Sequence, residues 1–157
     1  MSGIYTVPFV AVAVTAQQDF FEVVAAATKQ LVIIGFGLSQ STEVGEAQEE
    51  GLSLILKSGQ STSGSGGSAP TPAALDTSNA AAAGFACEVN NTSKASTGTI
   101  LTHYCWNWNV RNTPWDILLP EPMQILLVAG RRATLELATT PADSITLSGY
   151  MVCQEVG

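Results

Sequence analysis

The sequence is poor in charged residues. Only 12% of its 157 residues are Asp, Glu, Lys or Arg, against about a quarter in an average soluble domain. The 13 acids outnumber the 6 bases, and the bases form no run, so the chain lacks the basic patch that nucleic acid or anionic lipid requires. So little charge predicts that part of the surface is buried against copies of the chain or a partner. A surface solvated by Ser, Thr, Asn and Gln is the alternative.

Residues that carry chemistry are also scarce. His103 is the single histidine, and one imidazole cannot build a metal centre that needs several; we expect an ordinary hydrogen bond within a strand. Cys87, Cys105 and Cys153 fit no zinc spacing and are expected to be small buried residues in a reduced compartment, with a disulfide or reactive thiol as the alternative. No Gly-x-Ser-x-Gly segment occurs. The sequence therefore predicts no catalytic residue, no cofactor and no enzyme activity.

Long apolar runs are missing as well. Residues 7–14 are apolar but too short to cross a bilayer, and Pro8 interrupts them. The segment Met1-Ser2-Gly3 carries no basic n-region. We therefore expect no secretory signal, no membrane association and synthesis in a cytoplasm.

The acids cluster once, at Glu43, Glu46, Glu49 and Glu50. Carboxylates in a loop can bind calcium, but this spacing is not that of an EF-hand. A solvated loop is the favoured interpretation, so no metal site is predicted. Paired carboxylates for glycoside hydrolysis stay open as an alternative among the 13 acids.

What the sequence does contain is a strand pattern throughout. Apolar and other residues alternate in residues 52–57, 101–109, 133–138 and 145–154, as in half-buried strands. Residues 9–14 are apolar at every position, which predicts a first strand covered on both faces. Further strand candidates are residues 20–26, 31–38 and 123–128, the last a short buried run. Residues 47–51 and 80–83 could each form a turn of helix.

The pattern predicts one all-β domain over residues 1–157. Turn signals rich in Pro and Gly separate eight or nine short strands. In the third strand, Gly35 and Gly37 around Phe36 predict a bulge or a close backbone approach. We expect a jelly-roll-like antiparallel β-sandwich of about eight strands.

The middle of the chain differs in composition from the rest. Residues 58–84 are rich in Ser, Gly, Pro and Ala, as in a flexible linker with a stiffer part around Pro70 and Pro72. A loop this long inside a compact domain is usually disordered or functional. We interpret it as an extended arm or loop insertion, with Leu75 and Phe85 as anchors.

The most distinctive feature is a row of aromatic residues. Tyr104, Trp106 and Trp108 alternate along one strand, and Trp115 follows closely. Such a row can fill the core, anchor a protein interface or stack on sugar. Core is the favoured interpretation, with interface second and sugar third.

Three segments resemble a group of short tailed-phage and prophage proteins. They are residues 12–22 (VAVTAQQDFFE), 64–72 (GSGGSAPTP) and 141–149 (PADSITLSG), and the resemblance extends over nearly the whole chain. It implies a virion structural protein made in the bacterial cytoplasm, most often a capsid decoration (cement) protein. Such proteins are commonly jelly-roll or β-tulip trimers on the major capsid protein. The resemblance brings no catalytic residues with it.

Composition, pattern and resemblance lead to one main hypothesis, a trimeric capsid decoration protein without enzyme activity. A head-fibre or tail module that binds host glycan is the first alternative, and a glycosidase the second. The residues that we expect at the interface are Val10, Val12, Trp106, Trp108, Pro70, Pro72 and Leu75.

Overall fold

The computed structural model describes residues 3–43, 49–78, 81–112 and 114–157. These residues form eleven β-strands and one short 3₁₀ turn at Glu121–Met123, and no α-helix. The strands are β1 (Gly3–Val14), β2 (Gln18–Val24), β3 (Gln30–Gln40), β4 (Gly51–Thr62), β5 (Ala73–Ala74), β6 (Ala86–Asn91), β7 (Ser96–Asn109), β8 (Trp115–Leu118), β9 (Ile125–Leu127), β10 (Arg132–Leu137) and β11 (Ile145–Val156).

The strands form two antiparallel sheets that pack as a sandwich. The first sheet has the order β5-β1-β11-β3-β8, with β9 also paired to β3, and the second has the order β6-β2-β10-β4-β7. The predicted all-β antiparallel sandwich is thereby confirmed. The count of about eight strands is not, because β5 and β9 are additional pieces of two and three residues.

The core lies between the inward faces of the two sheets. Leu52, Leu54 and Leu56 of β4 are fully buried, as their alternation predicted. On β11, Ile145, Leu147, Met151 and Cys153 also face inward. The central strands β2 and β10 are buried on both faces, since loops and long side chains cover the outer side of the second sheet.

The prediction that β1 is covered on both faces inside the sandwich is wrong, and cover of its outer face at a subunit interface, the alternative, stays a prediction. Only one face is buried, at Tyr5, Val7 and Phe9, until a bulge shifts the register to β11 after Phe9. At the bulge Ala11 has a φ of 52° and donates its N–H to Ser148 Oγ at 2.9 Å. Val10 continues the outward set of the strand and is 77% exposed, and the extra residue then brings Val12 and Val14 to the inward face. A bulge inserts one residue and so changes the face on which the next residues lie.

The glycines of β3 behave as predicted. The register of β3 against β11 shifts between Val152 and Cys153, opposite Gly35. A Cβ at Gly35 would lie 2.5 Å from the carbonyl oxygen of Ile117, and one at Gly37 would overlap the ring of Tyr150. Both a bulge and a close backbone approach are therefore present.

The predicted arm at residues 58–84 lies against its own domain. Its first residues belong to β4, which continues to Thr62. Next, Ser63 Oγ donates to Glu22 Oε1 at 2.7 Å, and the Gly64 N–H donates to Glu22 Oε2 at 2.9 Å. The segment then crosses to the first sheet, where β5 pairs with β1. The buried carboxylate of Glu22 holds a segment whose composition alone indicated flexibility; residues 79–80 lie outside the described residues.

Two smaller predictions are also corrected. In residues 123–128 only Leu127 is fully buried, while Met123, Leu126 and Val128 are exposed, because β9 lies at an edge of the sheet. No helical turn forms at residues 49–51 or 81–83. The rest of those two predicted turns, residues 47–48 and 80, lies outside the described residues.

Candidate interaction surface

The aromatic row lies on the inner side of β7, at the margin of the core. Trp108 is 2% exposed, and its Nε1–H donates to the carbonyl of Asn112 at 2.9 Å. Trp106 and Tyr104 are half-buried and pack against the core. The favoured core interpretation is confirmed for Trp108, and its expected place at an interface is wrong, because the side chain has almost no surface to offer.

Trp106 is the centre of an aromatic cluster between the two sheets. Its ring stacks on Tyr104 with centroids 5.5 Å apart and meets the edge of Trp115, of the first sheet, at the same distance. Tyr104 donates its hydroxyl to the carbonyl of Met123 at 2.8 Å. The cluster ties β7 to the segment around β8 and β9, so its partly exposed rings border the surface next described.

The outer edge of β7 is open along its whole length. The strand pairs with β4 on one side, and β7 is the last strand of its sheet. Its first half is exposed, including Ile100 and Leu101. An exposed edge strand offers free backbone N–H and C=O groups and invites pairing with another chain unless it is blocked.

Apolar side chains from the first sheet lie beside this edge. Leu126 and Val128 border a groove of about 300 Å³ together with Leu101 and Thr99. Met123 is exposed on the 3₁₀ turn that precedes β9. We call four exposed apolar residues the rim patch: Leu101, Met123, Leu126 and Val128.

A second apolar surface lies on the outer face of the first sheet. Pro8, Val10, Pro114 and Tyr150 line a groove of about 280 Å³, and we call these four residues the Val10 patch. Gly37, which has no side chain, lines its floor beneath the ring of Tyr150. Val10 is thus placed at the surface, as an interface residue must be, whereas Val12 is half-buried against the core.

The remaining predicted interface residues lie on the crossing segment. Pro70 and Pro72 are half-buried, and Leu75 is 57% exposed. The Leu75 N–H donates to the carbonyl of Ile4 at 2.9 Å, and the carbonyl of Pro70 accepts a hydrogen bond from Cys87 Sγ at 3.1 Å. Contacts within the chain therefore fix this segment, and only Leu75 offers a large apolar surface.

Charged groups are concentrated on the outer face of the second sheet. Glu136 lies between Lys57 and Lys94, and these two cations lower the pKa of its carboxyl group although burial opposes them. Glu22 Oε1 lies 2.6 Å from Arg132 Nε. Both acids are buried, so these pairs neutralise charge locally.

Asp19 is the most perturbed acid of this face. It is 1% exposed, and its Oδ2 accepts the Ala95 N–H at 2.7 Å. Burial raises the pKa of its carboxyl group to about 7, with smaller contributions in the same direction from Glu136 and Glu22. Desolvation disfavours the charged form, and here one backbone hydrogen bond does not offset it.

The cysteines and the histidine have structural surroundings. All three cysteines are free; Cys87 and Cys153 are buried, as expected, but Cys105 is exposed on β7, against expectation. Burial raises the pKa of Cys87 to about 11 and that of Cys153 further, which disfavours the reactive thiolate. As expected, His103 is a strand residue with an ordinary hydrogen bond, its Nε2 lying 2.7 Å from Ser58 Oγ.

Sequence reasoning missed the rim patch as a unit. Its members come from β7, from the 3₁₀ turn and from the β9 region, and each is an ordinary apolar residue in its own segment. Their exposure follows from the position of residues 123–128 at the edge of the sheet, and the hydrophobic periodicity of the sequence does not reveal that position.

Within the described residues no helix is long and apolar enough to span a bilayer. Comparisons with protein-family models, with curated proteins and with solved structures found no match.

Proposed function

We propose that the sandwich is a jelly roll. The strand pairs β1/β11, β2/β10, β3/β8 and β4/β7 support this proposal. The first strand of the chain pairs with the last, and each following pair lies nearer the middle of the sequence. Alternate pairs also lie in alternate sheets. A hairpin of four strand pairs that wraps around a core gives this order. The strands β5, β6 and β9 are additions to the eight.

We infer that the protein is a virion structural protein without enzyme activity, namely a trimeric capsid decoration protein on the major capsid protein. The resemblance of residues 12–22, 64–72 and 141–149 to phage proteins supports the virion. The observation that carries the assembly is the presence of two different exposed apolar patches, the rim patch and the Val10 patch. Contact between unlike patches gives a heterologous interface, and such an interface closes into rings such as trimers, whereas a two-fold dimer uses one self-complementary patch.

The first test is the native mass of the purified chain, by light scattering on a sizing column. We expect three times the 16.3 kDa of the chain. Leu101→Asp, in the rim patch, should give monomers with an unchanged circular dichroism spectrum. Thr15→Asp is the matched control, because Thr15 is exposed in the turn between β1 and β2, and it should stay trimeric. A monomeric wild-type chain would refute the trimer.

The second test separates decoration from assembly. The trimer is mixed with capsid shells of the phage that encodes the chain and sedimented. Decoration predicts saturable co-sedimentation and shells that withstand higher temperature, since several weak contacts per trimer add to strong attachment. A stable trimer that stays in the supernatant would retain the assembly proposal and remove the capsid as its partner.

A glycan-binding head-fibre or tail module is the second candidate. Trp106 and Trp108 no longer motivate it, because they belong to the core margin. The observation in its favour is now Tyr150, whose exposed ring lies in the Val10 patch with its hydroxyl donating to Asp116 Oδ1 at 2.7 Å. An aromatic ring beside a carboxylate suits a sugar. Hits on a glycan array that Tyr150→Ala abolishes would favour this candidate; an empty array would exclude it.

A further inference from the structure

Three carboxylates from distant parts of the sequence meet at one end of the sandwich. Glu43 follows β3, Glu50 precedes β4, and Asp143 lies in the turn between β10 and β11. One oxygen from each lies within 4.8 Å of the others. Sequence reasoning noticed Glu43 and Glu50 but not Asp143, because only the fold brings that turn to the acidic loop. Glu46 lies outside the described residues.

Within the described residues no cation forms an ion pair with this cluster, although Arg111 follows Val110, whose N–H donates to the Glu50 carbonyl at 3.0 Å. Lys29 pairs with Glu155, Lys57 and Lys94 pair with Glu136, and Arg132 pairs with Glu22. No ion pair in the described part of the chain includes Glu43, Glu50 or Asp143. Three like charges at this separation repel each other unless a proton or a cation is shared between them.

The second and independent observation is the state of Glu43. Its side chain is buried, with the residue 3% exposed, and its Oε2 has no hydrogen-bond partner. Buried carboxylate oxygens without a partner are rare in native structures, and an ion is one of the few explanations. Because another oxygen of the cluster lies within 4.8 Å of this carboxylate, the unpartnered group points to a ligand at the same place.

Hydrogen bonds hold the two loops in position around the cluster. Glu50 Oε1 accepts the Ala142 N–H at 2.6 Å, which joins the start of β4 to the β10–β11 turn. The Glu43 N–H donates to Gln40 Oε1 at 2.7 Å, and Gln40 Nε2 donates to the carbonyl of Val110 at 3.1 Å. The backbone of Glu43 and the carboxylate of Glu50 are thus held by contacts within the fold, which lowers the ordering cost of binding a cation there.

We propose that Glu43, Glu50 and Asp143 bind one calcium ion that ties the segment after β3 and the segment before β4 to the β10–β11 turn. All donors are carboxylate oxygens, which calcium and magnesium prefer. Calcium accepts oxygens at about 2.4 Å in irregular geometry, whereas magnesium demands shorter distances and a near-ideal octahedron. Carboxylates gathered from three separate segments suit the ion that tolerates irregular geometry. This site is independent of the virion proposal.

The test uses the full chain after treatment with EDTA. Titration with CaCl₂ in a calorimeter should show one saturable site per chain, and about 5 mM CaCl₂ should raise the melting temperature above that in NaCl of equal ionic strength. Glu43→Gln should weaken calcium binding roughly tenfold or more. Glu121→Gln is the matched control, because Glu121 is an exposed acid on the 3₁₀ turn, and it should bind as the wild type does.

In the absence of calcium, the effect of Glu43→Gln on the melting temperature should have the opposite sign. Without calcium, Glu43→Gln should melt at a temperature equal to or above that of the wild type, because it removes a buried and uncompensated charge. If that variant does not fold, Asp143→Asn, at an exposed position, takes its place in the titration. No saturable binding, or calcium affinity in Glu43→Gln equal to that in Glu121→Gln, would overturn the site. Equal affinity for MgCl₂ would overturn the choice of calcium.

Discussion

Asp19 should make the stability of this protein fall as the pH rises towards neutrality. Its carboxyl group is buried on β2 with a pKa of about 7, against 3.8 for an exposed aspartate. Between these values the folded chain keeps a proton that the unfolded chain has released. Stability falls with pH wherever the folded state binds more protons. The contribution is therefore complete below about pH 4, declines between pH 4 and 7, and is lost above about pH 8.

The size of the effect follows from the two pKa values. A tenfold change in proton affinity corresponds to about 1.4 kcal/mol. The difference between 3.8 and about 7 then corresponds to a loss of about 4 kcal/mol on ionisation in the folded state. That is a large part of the stability of an ordinary domain, which is about 5–15 kcal/mol.

The perturbation that isolates this effect is Asp19→Asn. The amide cannot ionise, and its oxygen can still accept the N–H of Ala95, now 2.7 Å from Asp19 Oδ2. We expect wild type and variant to be about equally stable near pH 4, and the variant to be more stable by up to about 4 kcal/mol near pH 8. Glu136, whose pKa is lowered, loses its contribution only below its ordinary range, as the pH falls, and does so in both proteins.

Urea unfolding at fixed protein concentration, followed by tryptophan fluorescence near pH 4, 6 and 8, measures the difference. The quantity of interest is the stability of the variant minus that of the wild type at each pH, with equal m-values as the check that the transition is the same. A variant that is less stable by the same amount at every pH would refute the reasoning, since Asp19 would then act as a permanently charged acceptor.

Three further predictions follow from single contacts. Glu22→Gln should destabilise the fold by about 2–4 kcal/mol in urea, because it removes the charge beside a buried arginine and weakens the anchor of residues 63–64; it should also speed proteolysis in that segment. Trp108→Ala should cost about 3–5 kcal/mol by leaving a cavity, whereas loss below 1 kcal/mol would place the ring outside the core. A thiol reagent under native conditions should label Cys105 and spare Cys87 and Cys153; fast labelling of Cys153 would show that the sandwich opens.

The alternation of apolar and polar residues predicted the strands in which one face packs against the core. In β4 the inward residues Leu52, Leu54 and Leu56 are buried with no bulge between them, and in β11 the inward set from Ile145 to Cys153 is buried except at Gly149. Pairing a strand in register fixes all its side chains at once, since successive residues point to opposite faces. For such strands the sequence pattern and the structure carry the same information.

The pattern failed where the backbone departs from a regular strand. Residues 9–14 are uniformly apolar and do not reveal the bulge at Ala11, after which Val12 and Val14 face inward. The apolar run at 123–128 lies at an edge, so half of it is exposed. Position within a sheet depends on strand order, which is a property of long-range pairing and leaves no local signal.

Composition failed in the middle of the chain for a different reason. Ser, Gly and Pro at residues 63–72 can form few apolar contacts, so they indicate a mobile linker. Here Glu22, on a strand far away in sequence, supplies the acceptors for Ser63 and Gly64. The acidic cluster could not be predicted locally either, because Asp143 lies near Glu43 and Glu50 only in the folded chain.

The positions of the acids lower the charge of the solvent-exposed surface further. Asp19, Glu22, Glu43, Glu136 and Glu155 are all buried, and Lys29, Lys57 and Lys94 are held in ion pairs with two of them. The surface in contact with solvent is therefore poorer in charge than a composition of 12% suggests. Exposed surface that is low in charge, with an open strand edge beside apolar side chains, has little to prevent association. Association through the rim patch is then the expected consequence of how this fold distributes its charges.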